Sequence, residues 1–421
     1  SETKFSQLSR RRELRVSFLR GFSVNAAAGG VSFLLALANQ ALIARWLGVA
    51  GRGQLAIVAT SVTIGGMVFG EWLSRGNGFH SGRDPARAGS VWRNTVGYSL
   101  ALLLLSGALA VTVPAVAPGW LASGQSLLLA GMVTAVVAQK GFSGILQGRD
   151  RLTAYALIPL LFIGTYLAVN TIALGWLQTG LNGVLTAWLC GALLAALLAA
   201  VLSRAPGVLD GSLLHSTAVV GTRGALSATL IFLLFRSDVY LVRYYLSEEV
   251  LGVYAIAIVI AEMMQRGPNI AGAVLLPKVL RGIDDNHEMS LVVSRWVFAF
   301  SLLSAVGIVA FGETLIRWVF GVLYAGAYEP LVWMLPGLVA SGYGSVLNTK
   351  LAGQGYPPVT MWAPGTALAV NVALNVALIP HYGLVGAALS TSIAYLLWAV
   401  LVTFAYHRMT GLTWTRFVRA S

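Results

Sequence analysis

Charged side chains are scarce in this chain, and acidic ones especially so. Asp, Glu, Lys and Arg together make up 10% of the 421 residues, whereas soluble domains carry about a quarter. Hydrophobic residues account for 57% of the chain, and its mean hydropathy is +0.77. This composition argues against a soluble enzyme or a soluble binding domain. It is typical of a protein that crosses a membrane many times.

Cysteine and histidine are scarce as well. Cys190 is the only cysteine and cannot form an intramolecular disulfide. The five histidines are scattered near loops and span ends, and the sequence has no P-loop, HExxH or CxxC motif. We therefore expect no catalytic centre, no metal site and no cofactor.

Long apolar runs are what the sequence has in quantity. Runs of more than about 18 residues recur along the chain, and in lipid such runs form helices or barrel strands. Alternating segments of strand length are absent, so we predict an all-α integral membrane protein. Breaks at glycine, proline and charged clusters give twelve spans. They are 21–47, 54–75, 92–113, 121–146, 152–173, 181–203, 222–246, 249–280, 291–318, 329–351, 359–380 and 383–406.

The two halves of the chain share residues at offsets of 198 to 205 positions. The matched positions are Arg45 and Arg243, Gly53 and Gly252, Gly148 and Gly353, Pro159 and Pro364, Asn170 and Asn375, Gly180 and Gly383, and Gly183 and Gly386. Because six spans is an even number, both halves insert in the same orientation and the repeat is parallel. We predict two six-helix bundles, an arrangement typical of a transporter.

The predicted organisation has four parts. A basic amphipathic cytoplasmic segment at 1–20 precedes an N-terminal six-helix bundle at 21–210. A C-terminal six-helix bundle at 211–407 is followed by a cytoplasmic tail at 408–421.

Lysine and arginine set the orientation in the membrane. If the N-terminus is cytoplasmic, all but six of the 28 basic residues lie on the cytoplasmic side. The six others are Arg45, Arg52, Arg236, Arg243, Arg266 and Arg317. Such asymmetry predicts that both termini are cytoplasmic. It also accounts for the net charge of +13, so we expect no nucleic-acid partner.

Four ionisable residues fall near the middle of spans seven and eight. Arg236 and Asp238 lie in one, and Glu262 and Arg266 lie in the other. Charges at bilayer depth are costly and usually functional, and guanidinium groups suit phosphate oxygens. The functional interpretation is that Arg236 and Arg266 contact a phosphate group, while Glu262 and Asp238 serve ion or proton coupling. The alternative is a self-neutralising network, Arg236 with Asp238 and Glu262 with Arg266.

Other charged residues lie nearer the ends of spans. Arg45 is a third candidate for a cavity contact, although snorkelling to the interface also explains its position. Glu71 is a candidate proton site, and the alternative is a salt bridge to Arg75 at i+4. Glu313 and Arg317 have the same spacing and are expected to form a local pair.

Three amide side chains in the first span need hydrogen-bond partners in hydrocarbon. They are Asn25, Asn39 and Gln40. They could bind sugar hydroxyls or a neighbouring helix, and the second interpretation is favoured because polar side chains commonly join membrane helices.

The segment Asn371–Thr391 has the pattern N-x-x-x-N-x-x-L-I-P-x-Y-G-x-x-G-A-A-x-x-T. It resembles the C-terminal signature of bacterial polysaccharide flippases of the Wzx type. The segments Ala44–Gln54, Glu248–Ala255 and Leu276–Pro277 resemble other parts of the same family. These flippases belong to the MOP superfamily, which also holds the MATE multidrug exporters and the MurJ peptidoglycan-precursor flippases.

The resemblance implies a MATE-like fold of two six-helix bundles around a cavity that opens alternately to each side. It implies movement of a polyprenyl-pyrophosphate-linked oligosaccharide, a polysaccharide repeat unit, from the cytoplasmic to the outer leaflet of the bacterial inner membrane. Expected partners are that glycolipid, membrane lipids, and polysaccharide polymerase or export machinery, with the protein itself a monomer.

Alternative functions remain open at this point. Two share the fold: a cation-coupled multidrug exporter and a lipid II flippase, although MurJ-like proteins usually add two helices beyond the twelve predicted here. A third is a membrane glycan polymerase or ligase, which we would expect to carry a long outer loop rich in basic residues and histidine.

Overall fold

A computed structural model of the chain describes residues 2–116, 123–280 and 287–414, and side chains are described there except at 2–28, 113–116, 123–124, 273, 276–278 and 280. The helices are α1 (Glu2–Arg83), α2 (Ala88–Val116), α3 (Ser123–Gly148), α4 (Leu152–Gly175), α5 (Gly180–Ser203), α6 (Gly211–Arg236), α7 (Asp238–Tyr245), α8 (Glu248–Leu280), α9 (Glu288–Val319), α10 (Tyr328–Gly353) and α11 (Val359–Thr410). Short 3₁₀ turns occupy Pro85–Arg87 and Val322–Ala327. The prediction of an all-α protein is confirmed for these residues.

Ten helical stretches in the described residues are long and apolar enough to cross a membrane. Two of them, Gly29–Arg83 and Val359–Thr410, have 55 and 52 residues, far more than one crossing needs. Each contains one glycine with non-helical backbone: Gly48 has φ 72° and Gly383 has φ 56°. Positive φ is costly for residues other than glycine, so each stretch consists of two helical segments joined at its glycine. The chain is a multi-pass integral membrane protein.

The helices cluster into two compact units. Unit 1 comprises Ser1–Ile43 and Gly65–Thr222, and unit 2 comprises Ala44–Ile64 and Arg223–Ser421. The sequence places 44–64 in the N-terminal bundle, whereas the contacts of this segment place it in unit 2. Arg45 binds a carbonyl at the end of α9, and Gly53 packs against the carbonyl of Glu248, and both contacts hold the segment there.

In unit 1, α3 packs against α2 and α5, and α4 packs against α5. The C-terminal part of α1 lies directly on α3: a Cβ added at Gly144 would collide with the Ser74 carbonyl, and one at Gly148 with the Gly78 carbonyl. Such close approach is typical of membrane helices with small interface residues. The core of this unit contains Val91, Phe142, Ile145, Leu146, Ile158, Ala195, Ala199 and Leu213.

In unit 2, α10 is the central helix and packs against α8, α9 and α11. A Cβ at Gly337 would lie within 3 Å of the Ser392 backbone, and the amide of Gly337 donates a 2.9 Å hydrogen bond to the Ser392 hydroxyl. This contact brings α10 and α11 close together. Helix α7 also packs on α11, which positions the polar groups described next.

Candidate functional site

Arg236 and Glu262 form an ion pair in unit 2. Arg236 is the last residue of α6 and Glu262 lies on α8, and their side chains are 19% and 52% exposed. The network predicted from sequence paired Arg236 with Asp238 instead. In the structure the salt bridge of Arg236 goes to Glu262 and not to Asp238, in keeping with the different directions of residues two positions apart on helical backbone. Arg266 lies one turn beyond Glu262 on the same exposed face of α8, as the spacing predicted.

Asp238 is the most buried of the predicted charges, with 2% of its surface exposed. Its Oδ2 accepts a 2.6 Å hydrogen bond from the Tyr254 hydroxyl and a 3.3 Å hydrogen bond from Thr391 Oγ1. Its Oδ1 has no hydrogen-bond partner among the described residues. The carboxylate therefore joins α7, α8 and α11, and one of its oxygens keeps acceptor capacity.

Two asparagines of the C-terminal motif extend this polar cluster. Asn375 Nδ2 donates to the backbone carbonyl of Asn371 at 2.9 Å and to Asn371 Oδ1 at 3.0 Å, and Ser237 Oγ donates to the same Oδ1 at 3.0 Å. Asn371 Nδ2 and Asn375 Oδ1 have no partner in the part of the chain that the structure describes. Three polar residues of the motif, Asn371, Asn375 and Thr391, are thus buried beside α7. The motif is recognisable in the sequence, but its pattern alone predicts no contact for these side chains.

Arg45 has the contacts of a helix cap. Its Nε donates to the Val319 carbonyl at 2.9 Å, and its Nη2 donates to the Trp318 carbonyl. The hydroxyl of Tyr324 donates to the Ala44 carbonyl at 2.8 Å. Cations stabilise helix C-termini by satisfying free carbonyls. Two of its nitrogens thus bind the end of α9, and contact of Arg45 with a phosphate group stays a prediction.

Gly53 and Gly252, which sequence analysis matched as repeat equivalents, lie in a reciprocal contact within unit 2. A Cβ at Gly53 would collide with the carbonyl of Glu248, and one at Gly252 with the carbonyl of Val49. Each glycine thus faces the carbonyl four residues before the other. The Glu248 carboxylate also accepts hydrogen bonds from Gln54 Nε2 and Arg243 Nη2, both at 2.7 Å. We call this contact the glycine junction.

Glu71 lies in unit 1 between two cations. Its Oε1 is 2.9 Å from Arg75 Nη2, as the i,i+4 spacing suggested, and its Oε2 is 2.6 Å from Lys140 Nζ on α3. In the sequence, Lys140 contributes only to the count of basic residues that predicts the orientation. Its position inside the predicted span 121–146 could have identified it, because a lysine at that depth needs a partner.

One of the three amide side chains of the first span has a hydrogen-bond partner on another helix. Asn39 is buried, and its Oδ1 accepts a 2.9 Å hydrogen bond from Asn170 Nδ2 on α4. Gln40 Oε1 is buried without a hydrogen bond to any described residue. Asn25 lies outside the residues whose side chains the structure describes. The role proposed for these amides in binding sugar stays a prediction.

The Asn39–Asn170 hydrogen bond gives a first testable prediction. Replacing either residue by alanine should lower the free energy of unfolding by about 1 kcal/mol, since one interhelical hydrogen bond is lost. The double replacement should cost less than the sum of the single replacements because both remove the same bond. Thermal unfolding of the purified protein measures this cycle, and strictly additive costs would contradict the contact.

No three histidine, cysteine, aspartate or glutamate side chains come together as a metal site within the described ranges. The polar groups of unit 2 instead offer guanidinium donors, one buried carboxylate and amide groups. Such a set can bind anionic and hydroxyl-bearing groups, and it can also accept a cation.

No family model matches this chain, and no curated protein matches its sequence. Solved structures do match it. A lipid II flippase, MurJ, in an inward closed conformation is similar at a TM-score of 0.74 and 16% identity, over 90% of this chain and 87% of that one. An inward-facing multidrug resistance MATE family transporter of the MOP superfamily is similar at 0.68 and 16% identity, over 90% and 94%.

A third match is a MOP superfamily transporter from Pyrococcus furiosus, described as having reversed polarity of its binding pocket. Its TM-score is 0.60 at 15% identity, over 93% of each chain. These identities establish the fold alone. The chain has the fold shared by MATE and MurJ proteins, as the sequence resemblance implied; none of these three matches is specific to the Wzx family.

Proposed function

We propose that this chain is a transporter of the MOP superfamily that moves a polyprenyl-pyrophosphate-linked oligosaccharide from the cytoplasmic to the outer leaflet of the bacterial inner membrane. We further propose that it crosses the membrane twelve times in two six-helix bundles, with both termini cytoplasmic. It would act as a monomer and hand its cargo to polysaccharide polymerase or export machinery. The fold it shares with a lipid II flippase and the motif Asn371–Thr391 support this proposal.

The observation that carries the proposal is the exposed charged face of α8. Glu262 and Arg266 are both exposed in the middle of a helix long and apolar enough to span the membrane. Charged groups at that depth face water or a polar ligand, because contact with lipid tails costs several kcal/mol. Arg236 adds a second guanidinium beside Glu262. A pyrophosphate is the class of ligand that such groups bind in bidentate fashion.

Export of this cargo requires a polar route for its sugars. Each hydroxyl moved into hydrocarbon without a hydrogen-bond partner costs several kcal/mol, so the glycan has to pass through a hydrated cavity while the polyprenyl chain stays in lipid. The pyrophosphate is anionic and the cell interior is negative. Outward movement of the pyrophosphate is therefore favoured by a free energy of about 2.3 kcal/mol per charge per 100 mV of membrane potential. We propose that this potential alone can bias export.

A second candidate is a cation-coupled multidrug exporter, and the buried carboxylate of Asp238 with its free acceptor oxygen favours it. Such an exporter would need acidic groups available to bind cationic drugs. Here Glu262 is neutralised by Arg236, and Asp238 is held by Tyr254 and Thr391. The lipid-linked anion therefore fits the charges of unit 2 better.

Transport by the purified protein in proteoliposomes tests the proposal. A fluorescent polyprenyl-pyrophosphate-linked oligosaccharide should move from one leaflet to the other. Its export should speed up when valinomycin and a potassium gradient make the compartment on the cytoplasmic side of the protein electrically negative. A cationic dye should not be transported. Transport of the dye alone would favour the exporter. Export that follows an imposed proton gradient and ignores the potential would contradict the proposed driving force.

A further inference from the structure

Three charged side chains meet in unit 1. Arg75 binds Glu71 through Nε at 3.0 Å and Nη2 at 2.9 Å, and both contacts go to Oε1. Lys140 Nζ binds the other oxygen, Oε2, at 2.6 Å. One carboxylate is thus shared between two cations on two helices, α1 and α3. We call these residues the Glu71 triad.

The triad lies well inside two membrane-spanning helices. Arg75 is eight residues before the end of α1, and Lys140 is eight residues before the end of α3. At 1.5 Å per residue this is about 12 Å from the helix ends. The distribution of lysine and arginine predicts that these ends are cytoplasmic. The triad therefore lies at a level that lipid headgroups of the cytoplasmic leaflet can reach.

Lys140 has donor capacity beyond its bond to Glu71. An ammonium group has three donors, and among the described residues its partners are Glu71 Oε2 and the weak acceptor Met67 Sδ at 3.8 Å. Its side chain is 26% exposed. The carboxylate that it shares is already held by two donors of Arg75. Lys140 therefore has donors left over for an incoming anion.

Two glycines of α1 make room for the lysine side chain. A Cβ at Gly70 would lie 3.3 Å from Lys140 Cδ, and one at Gly66 would lie 3.8 Å from Lys140 Cε. The aliphatic part of Lys140 therefore lies against Gly66 and Gly70 of α1. Larger side chains at these two positions would crowd it. Beyond this stem, the ammonium group reaches the Glu71 carboxylate.

We infer that the Glu71 triad is a second binding site for a lipid-borne phosphate group, in which Lys140 contacts the phosphate and Glu71 competes for it. Lysine binds phosphate as a compact point charge. The phosphate can belong to a polyprenyl pyrophosphate or to an anionic phospholipid such as phosphatidylglycerol. Only the first of these ligands rests on the proposed function.

Lipid binding to the purified full-length protein tests this inference. Native mass spectrometry would follow titrations with polyprenyl pyrophosphate and with phosphatidylglycerol, and uncharged diacylglycerol would serve as the blank. Lys140→Gln should weaken binding of at least one phosphate lipid about tenfold, the size expected for one charge-assisted hydrogen bond. Loss with both lipids supports a general phosphate site, and loss with polyprenyl pyrophosphate alone supports a cargo site.

Matched variants separate charge from folding. Lys140→Arg should retain binding, and so should Arg93→Gln, which removes an exposed cation from α2 in the same unit. Glu71→Gln should tighten lipid binding because the competing carboxylate is gone. This variant tests the inference even if Lys140→Gln does not fold. Wild-type binding of both lipids by Lys140→Gln, or unchanged binding by Glu71→Gln, would overturn the inference. If the protein binds phosphate lipids in a Lys140-dependent way but does not transport the glycolipid, only the proposed function is overturned.

Discussion

Gly53→Ala is expected to lower the free energy of unfolding by about 3 kcal/mol, the upper range for overpacking a buried contact. The added methyl group would lie 2.9 Å from the carbonyl carbon of Glu248 and 3.1 Å from the amide nitrogen of Gly252. Both are backbone atoms, so no side chain can rotate away to relieve the collision. Gly252→Ala should have a similar cost through the carbonyl of Val49.

The chain supplies its own control for this experiment. A Cβ at Gly107 or Gly307 would meet nothing within 4 Å, so alanine there should be neutral or stabilising by up to about 1 kcal/mol, as for helical glycine in general. Thermal unfolding followed by tryptophan fluorescence would compare the four variants. The double variant at Gly53 and Gly252 should cost less than the sum, because either methyl group separates the same two segments. If the alanine variants at Gly53 and Gly252 were as stable as those at Gly107 and Gly307, the glycine junction would be contradicted.

Arg236→Ala and Arg266→Ala are each expected to reduce glycolipid export at least about tenfold, since each removes a charge-assisted contact to phosphate. Arg236→Ala also leaves Glu262 without its counter-ion, so an acidic group would repel the cargo. Export is measured with the proteoliposome assay, and in cells as surface polysaccharide. Arg236→Lys keeps the charge but loses the planar fork, so we expect partial activity.

A surface ion pair of the same type provides the comparison. Arg317 and Glu313 on α9 are 2.8 Å apart, with side chains 47% and 50% exposed. Arg317→Ala should leave export unchanged, since exposed pairs contribute little. If both the Arg236→Ala and the Arg266→Ala variants export the glycolipid at the wild-type rate, these two residues do not belong to the proposed site.

The helical content and most span positions could be predicted from sequence because they depend on local hydrophobicity and helix breakers. The predicted breaks fall at Gly48, which separates the first two spans, and at the Pro380–Gly383 turn, where the non-helical residue is Gly383. The packing of 44–64 in unit 2 could not be predicted in this way. It depends on contacts with residues about 200 to 280 positions away, such as Tyr324 with Ala44.

For the candidate site, the sequence predicts which charges lie at membrane depth but not which of them pair. Arg236 and Glu262 are 26 positions apart on two different helices, so their contact depends on the tertiary fold and not on local spacing. The i,i+4 pairs at Glu71 and Arg317 were predictable because one helix fixes their geometry. The third member of the Glu71 triad, Lys140, required the close approach of α1 and α3.

The membership of 44–64 in unit 2 has an evolutionary consequence. If the chain arose by duplication of a single six-span ancestor, the carbonyls at the end of α9 and the glycine face of α8 would have lacked their present covering in one isolated copy. The segment of the second half that matches 44–64, at about 242–263 by the same offsets, lies in unit 2 as well. A single ancestral copy would therefore have contained only one of the two segments that meet at the glycine junction, and the junction itself is a product of the duplication.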